Sequence, residues 1–128
     1  MKHLIADDIA PPFGNYSHAV EIPPAARILS IAGQVGVHPD GRVGETAEEQ
    51  TELIFANIER VLAKAGMTLK DLVKLNFFVV SRTDLPAIRA VRDRVLGTPA
   101  PALSLVLVAA LGQESWRLEV DGVAARKD

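Results

Sequence analysis

The run Ala102-Leu103-Ser104-Leu105-Val106-Leu107-Val108-Ala109 constrains the fold more than any other segment of this chain. Read as a strand, it points alternate residues to opposite faces of a sheet, and it carries apolar side chains on both. A sheet with one face in water alternates apolar and polar residues, so this strand needs cover on both sides. The rest of the chain supplies two helices, enough for one face. The simplest cover for the other is a second copy of the same chain.

The clearer helix starts at Thr46, with Glu49 three residues on to complete a reciprocal capping box. Leu53, Ile54, Asn57, Ile58, Val61, Leu62 and Ala65 follow at helical spacing, and Gly66 is placed to stop the helix. Asp84 is the expected cap of the second helix, in which Leu85, Ile88, Val91 and Val95 share a face and Gly97 marks the end. Arg89, Arg92, Asp93 and Arg94 lie elsewhere on it, where helix arginines are ordinarily solvated. Strands are expected at Ser17 to Ile22 and Arg27 to Val37, paired as a hairpin, then at Val73 to Val80, Ala102 to Ala109 and Arg117 to Ala125. This order is α+β: a mixed sheet with two helices packed on one face.

At 128 residues, without a repeat or an interdomain linker, residues 1–128 read as one domain. A 48% hydrophobic and 23% charged composition suits a globular chain rather than a disordered, collagen-like or coiled-coil one. The formal charge of -2 provides no general basic field for nucleic acid or an anionic membrane, so neither is an expected partner. The lack of cysteine removes disulfide scaffolds, thiolate zinc sites and cysteine nucleophiles, and points to a reducing cytoplasm. Met1 to Asp8 reaches acidic residues before any long apolar run, and no stretch approaches the roughly 18 apolar residues of a membrane span. A soluble, unprocessed chain is expected. His3, His18 and His38 lack metal-ligand spacing, no G-x-S-x-G elbow frames a serine, and no glycine-rich phosphate loop occurs. Neither a metal nor a cofactor is expected.

What remains is sparse: Gly14-Asn15-Tyr16-Ser17-His18, Ala32-Gly33-Gln34 and Leu118-Glu119-Val120-Asp121. On pattern alone Tyr16 is an ordinary half-buried aromatic at the start of a strand. Glu119 stands in an apolar strand near Trp116, where an inward carboxylate would be desolvated and suited to proton transfer, and an outward one would be a solvated surface group. Asp121 shares its face.

Together these residues resemble the RidA/YjgF family, also called the endoribonuclease L-PSP or chorismate-mutase-like family. The resemblance spans nearly the whole chain. It rests on Gly14 to Val20, Ile31-Ala32-Gly33-Gln34-Val35, the Gln50 to Ile58 helix, Ala65-Gly66, Leu69 to Lys74 and Phe78-Val79, in that order and spacing. It implies a homotrimer with a central barrel-like sheet core, helices outside, and a small-molecule cleft at each subunit interface. It also implies hydrolysis of imines and enamines, such as 2-aminoacrylate and its tautomer 2-iminopropanoate, to a keto acid and ammonia. That chemistry uses an arginine paired with the substrate carboxylate and a polar group that activates water.

By the same resemblance Tyr16 matches the cleft tyrosine, Glu119 matches the acidic residue expected to be catalytic, and Ala32, Gly33, Arg89, Leu103 and Ser104 fall at substrate-binding positions. Three of these depart from the family pattern. Pro101-Ala102-Leu103-Ser104 stands where the family reads Pro-Ala-Arg-Ser, Ala32 replaces a serine, and Arg89 replaces an asparagine. Losing the strand arginine removes a bidentate carboxylate contact, which Arg89 or Arg92 is placed to restore from the second helix. The expected function is a divergent hydrolase or deaminase of an imine, enamine or related carbonyl compound at an intersubunit cleft, with little or no 2-iminopropanoate activity because Leu103 replaces the arginine. The alternative is a non-catalytic trimeric small-ligand-binding or interaction protein.

Overall fold

A computed structural model describes residues 1–128. Its strands are β1 (Lys2–Leu4), β2 (Ala19–Glu21), β3 (Arg27–Val35), β4 (Leu72–Val79), β5 (Ala102–Leu107) and β6 (Leu118–Arg126). Helix α1 (Ala47–Lys64) lies between β3 and β4, and α2 (Leu85–Leu96) between β4 and β5. The main sheet has the order β3-β6-β4-β5, with β6 antiparallel to both neighbours and β4 parallel to β5. Each helix therefore serves as a crossover between parallel strands, and β6 fills the gap that the first crossover leaves. The α+β class and the mixed sheet agree with the sequence pattern.

The hairpin does not. Residues Ala19–Glu21 pair with Lys2–Leu4 in a separate two-stranded ribbon, while β3 pairs with β6, the last strand of the chain. A Pro-Pro turn marks where a strand stops, but it carries no information about which strand the next one joins.

One face of the sheet packs on the helices. Leu75, Phe77 and Val79 of β4 and Leu118 and Val120 of β6 are fully buried against Ile54, Phe55, Ile58, Leu62 and Ile88. Phe55 and Phe77 meet at a ring-centroid distance of 6.3 Å and a tilt of 52°, an arrangement worth about 0.5–1.5 kcal/mol beyond the area it buries. Gly66, with φ 70°, ends α1 by directing the Met67 amide onto the Leu62 carbonyl (2.9 Å) and its own onto Ala63 (3.0 Å). Met67 and Leu62 then bury together.

Two caps differ from expectation. Thr46 accepts from the Glu49 amide, but the Glu49 carboxylate accepts from the Glu45 amide (3.0 Å) instead of closing the box on Thr46. That bond, aided by His38, holds the Glu49 carboxyl below its ordinary range. Asp84 makes no capping bond and instead pairs with Arg117 at 3.2 Å. The complete capping box lies at Thr68 and Asp71, before β4.

Gln50 ties three segments together. Its side-chain amide donates to the Gly44 and Ser115 carbonyls and accepts from the Arg117 amide, each at 2.9 Å, and the residue is buried. Gln50→Leu keeps the volume and orphans those three backbone groups, so a loss of about 2–4 kcal/mol is expected. Denaturant unfolding reads it directly, and an unchanged midpoint would contradict the role.

Candidate functional site

The loop before β2 is pinned to the segment before β5. Asn15 Nδ2 donates to the Gly97 carbonyl (2.7 Å), Ser17 Oγ to Ala100 (2.6 Å), and the Ser17 amide to Pro101 (3.2 Å). His18 holds the other end of the loop: Nδ1 accepts from the Ala6 amide and Nε2 donates to the Ala10 carbonyl, the tautomer that satisfies both. These bonds set Tyr16 beside β5 and α2.

There it helps to line a cavity of about 590 Å³ with Phe13, Gly14, Arg89, Arg92, Asp93, Leu103 and Leu105. Leu103 pairs in register with buried Leu75, so it and Leu105 face the helix side of the sheet. Tyr16 Oη accepts from the Phe13 amide (3.1 Å), which leaves the hydroxyl proton free to be donated. Arg89 is exposed at the rim.

Arg92 corrects an expectation. It is 4% exposed rather than solvated, with Nε donating to Asp93 Oδ1 at 2.9 Å. The spacing Leu85, Ile88, Arg92, Val95 is itself a helical stripe, so the pattern contained the signal; charge masked it. Arg94, by contrast, reaches across to Glu52 of α1 (2.9 Å).

A second group of residues lies on the opposite face of the sheet. The pairings Phe78↔Glu119, Asn76↔Asp121, Asn76↔Ser104 and Phe78↔Val106 put Glu119, Asp121, Ser104 and Val106 on the face away from the helices. Lys74 Nζ donates to Ser104 Oγ (3.0 Å) and Asn76 Nδ2 to Asp121 Oδ1 (2.7 Å), while the half-buried Glu119 carboxylate has no such partner in the chain. A bulge between Ile31 and Gln34 adds one residue to β3 at Ala32-Gly33. Gly33 passes so close that a Cβ there would overlap the Glu119 carboxylate. Tyr16, Arg89 and Leu103 are thus gathered in one place and Gly33 and Glu119 in another, with the sheet between them. Ala32 flanks the second group, and Ser104 sits on its face, hydrogen-bonded to Lys74.

No helix is long and apolar enough to cross a membrane. The model for the family described as Endoribonuclease L-PSP matches residues 8–126. A protein of Dermatophagoides farinae named 2-iminobutanoate/2-iminopropanoate deaminase is 31% identical over 125 residues, covering 95% of this chain and 94% of its own. A RutC family protein of Pyrococcus horikoshii is 30% identical over 132 residues, covering 99% of this chain and all of its own. Among solved structures, the Rid family protein YyfB of Yersinia pestis superposes with a TM-score of 0.85 at 33% identity, covering 98% of both chains. RidA of Psychrobacter sp. does so with 0.73 at 29%, covering 97% and 98%. With the split sheet, the two crossover helices and a match over nearly its full length, this chain belongs to the RidA/YjgF family, the family described as Endoribonuclease L-PSP.

Proposed function

We propose that this protein hydrolyses a small imine, enamine or related carbonyl compound in a cleft formed between copies of the chain, assembled as a homotrimer. The observation that carries the reading is the Glu119 carboxylate, half-buried against Gly33 with no partner in its own chain while its polar neighbours are paired. A carboxylate so placed suits a water molecule. The name of the Dermatophagoides farinae relative supports the substrate class. Because Tyr16 and Glu119 lie on opposite faces of one sheet, both reach one substrate only where two copies abut.

In this mechanism Glu119 takes a proton from water as the oxygen bonds to the imine carbon and the C=N electron pair moves to nitrogen. The same carboxyl returns that proton to nitrogen to give the carbinolamine, then takes the proton of its hydroxyl and passes it to nitrogen as the C–N bond breaks and the C=O bond forms, releasing ammonia and a carbonyl product. Tyr16, with its free hydroxyl proton, orients the substrate.

Leu103 offers no charge to a substrate carboxylate. A lost bidentate guanidinium pair is worth about 1.5–3 kcal/mol, or roughly 10- to 100-fold in kcat/KM. We therefore expect 2-iminopropanoate to be turned over at least about tenfold less efficiently than by arginine-bearing relatives. An amino-acid oxidase acting on alanine, leucine and phenylalanine generates a panel of imines in situ, with ammonia release as the readout. Acceleration of at least one member supports the reading. None above buffer would overturn it in favour of a binding protein, and full activity on 2-iminopropanoate would overturn the role given to Leu103.

A further inference from the structure

Arg92 is the most deeply buried cation in the protein, and it is underused. Its side chain runs from α2 into the Tyr16 cavity, where Nε is bound to Asp93 and neither terminal nitrogen has a hydrogen-bond partner in the chain. No fully enclosed polar atom lacks a partner, so those two nitrogens open onto the cavity. Burial of a guanidinium is costly unless its donors are satisfied, and a planar fork with two free N–H edges matches a carboxylate. Arg89, three residues earlier on the same helix face, adds a second guanidinium at the rim. Two cations against the single carboxylate of Asp93 leave the cavity net positive.

We propose that Arg92 anchors the carboxylate of a small organic acid, moving the anion-binding role from strand β5 to helix α2, and that Leu103 and Leu105 select acids with an apolar body. The inference rests on reading this cavity as the small-molecule site, and not on the catalytic step. The cation and the two leucines line the same space, so a ligand whose charge meets Arg92 lays its hydrocarbon on the strand. A cavity of about 590 Å³ falls in the range that holds ligands much larger than a three-carbon acid, which would leave the leucine wall wet. Asp93 beside the guanidinium disfavours a doubly charged phosphate.

Titration calorimetry on the full-length protein tests this with 4-methylpentanoate, its neutral amide, acetate and inorganic phosphate. The acid is expected to bind at least tenfold more tightly than the amide, acetate or phosphate. Arg92→Gln should remove that preference while leaving the amide unchanged. A buried arginine also contributes to packing, so Gly14→Ala supplies a second route. Gly14 is exposed and has no positive φ, and a methyl group there would meet Arg92 Nη2 at 3.2 Å and displace the fork. Three- to tenfold weaker acid binding at unchanged melting temperature is the expected result. Equal affinity for acid and amide, tighter binding of phosphate, no acid binding to the wild type, or undiminished acid binding in both variants would overturn the proposal. Imine hydrolysis without acid preference would remove only this inference. Arg92-dependent acid binding without hydrolysis of any imine would remove only the catalytic reading.

Discussion

Glu119→Gln is expected to lower imine turnover by about 10²-fold or more, the usual contribution of a general acid–base group, with the oligomer and melting temperature nearly unchanged. Glutamine preserves the shape and can still hold a water, but it cannot take the proton that the attacking oxygen must lose. Stability should be spared because the carboxylate has no hydrogen bond or ion pair in the chain to lose, which keeps the change near the ±0.5 kcal/mol typical of such sites. Gly33→Ala approaches the same group from the other side. Its Cβ would occupy the space of the Glu119 carboxylate, which has to swing aside, so kcat should fall even though Glu119 is retained. Steady-state kinetics on the best imine of the panel reads both. Wild-type kcat in Glu119→Gln would exclude proton transfer by this residue.

Elements with a local period were legible in the sequence. The α1 stripe ending at Gly66 is such a pattern, and so is β4, where burial alternates from Leu75 to Val79 as branched and aromatic residues suggest. Pairing partners were not legible. Nothing near Arg27–Val35 encodes Leu118–Arg126 as its neighbour, and Lys2–Leu4 is too short to show any period.

The candidate site divides along the same line. Tyr16 and Leu103 could be placed by motif, yet their position across the sheet from Glu119 depends on register. The polar set of the open face comes from three strands, with Lys74 and Asn76 on β4, Ser104 on β5 and Glu119 and Asp121 on β6; only the pairings Asn76↔Asp121 and Asn76↔Ser104 bring it together. Arg92 was hidden for a different reason. A charged residue on a helix is ordinarily assigned to water, and the apolar stripe through Leu85 and Ile88 continues by composition at Val91, whereas the geometry continues it through Arg92 as well.

Val106→Asp is expected to dissociate the proposed trimer and, with it, to abolish hydrolysis. The helices cover one face of the sheet, leaving Ile28 65% and Val106 47% exposed on the other in the isolated chain. The sheet order leaves β5 as an edge strand, with one row of backbone groups unpaired by this sheet. Apolar side chains beside an open edge are a liability in a monomer and an interface in an oligomer. Val106 shares a face with Phe78 and Glu119, so a charge there enters the surface that a neighbour would have to cover. Burying an unpaired carboxylate costs several kcal/mol, enough to shift association by orders of magnitude. The helical core lies across the sheet from this position, so circular dichroism should remain native while light scattering falls from three chains to one. Activity should vanish because Tyr16 and Glu119 of a lone chain face opposite ways. A wild-type protein that scatters as a monomer would refute the shared cleft; a monomeric Val106→Asp that still hydrolyses imines would show that one chain carries the whole site.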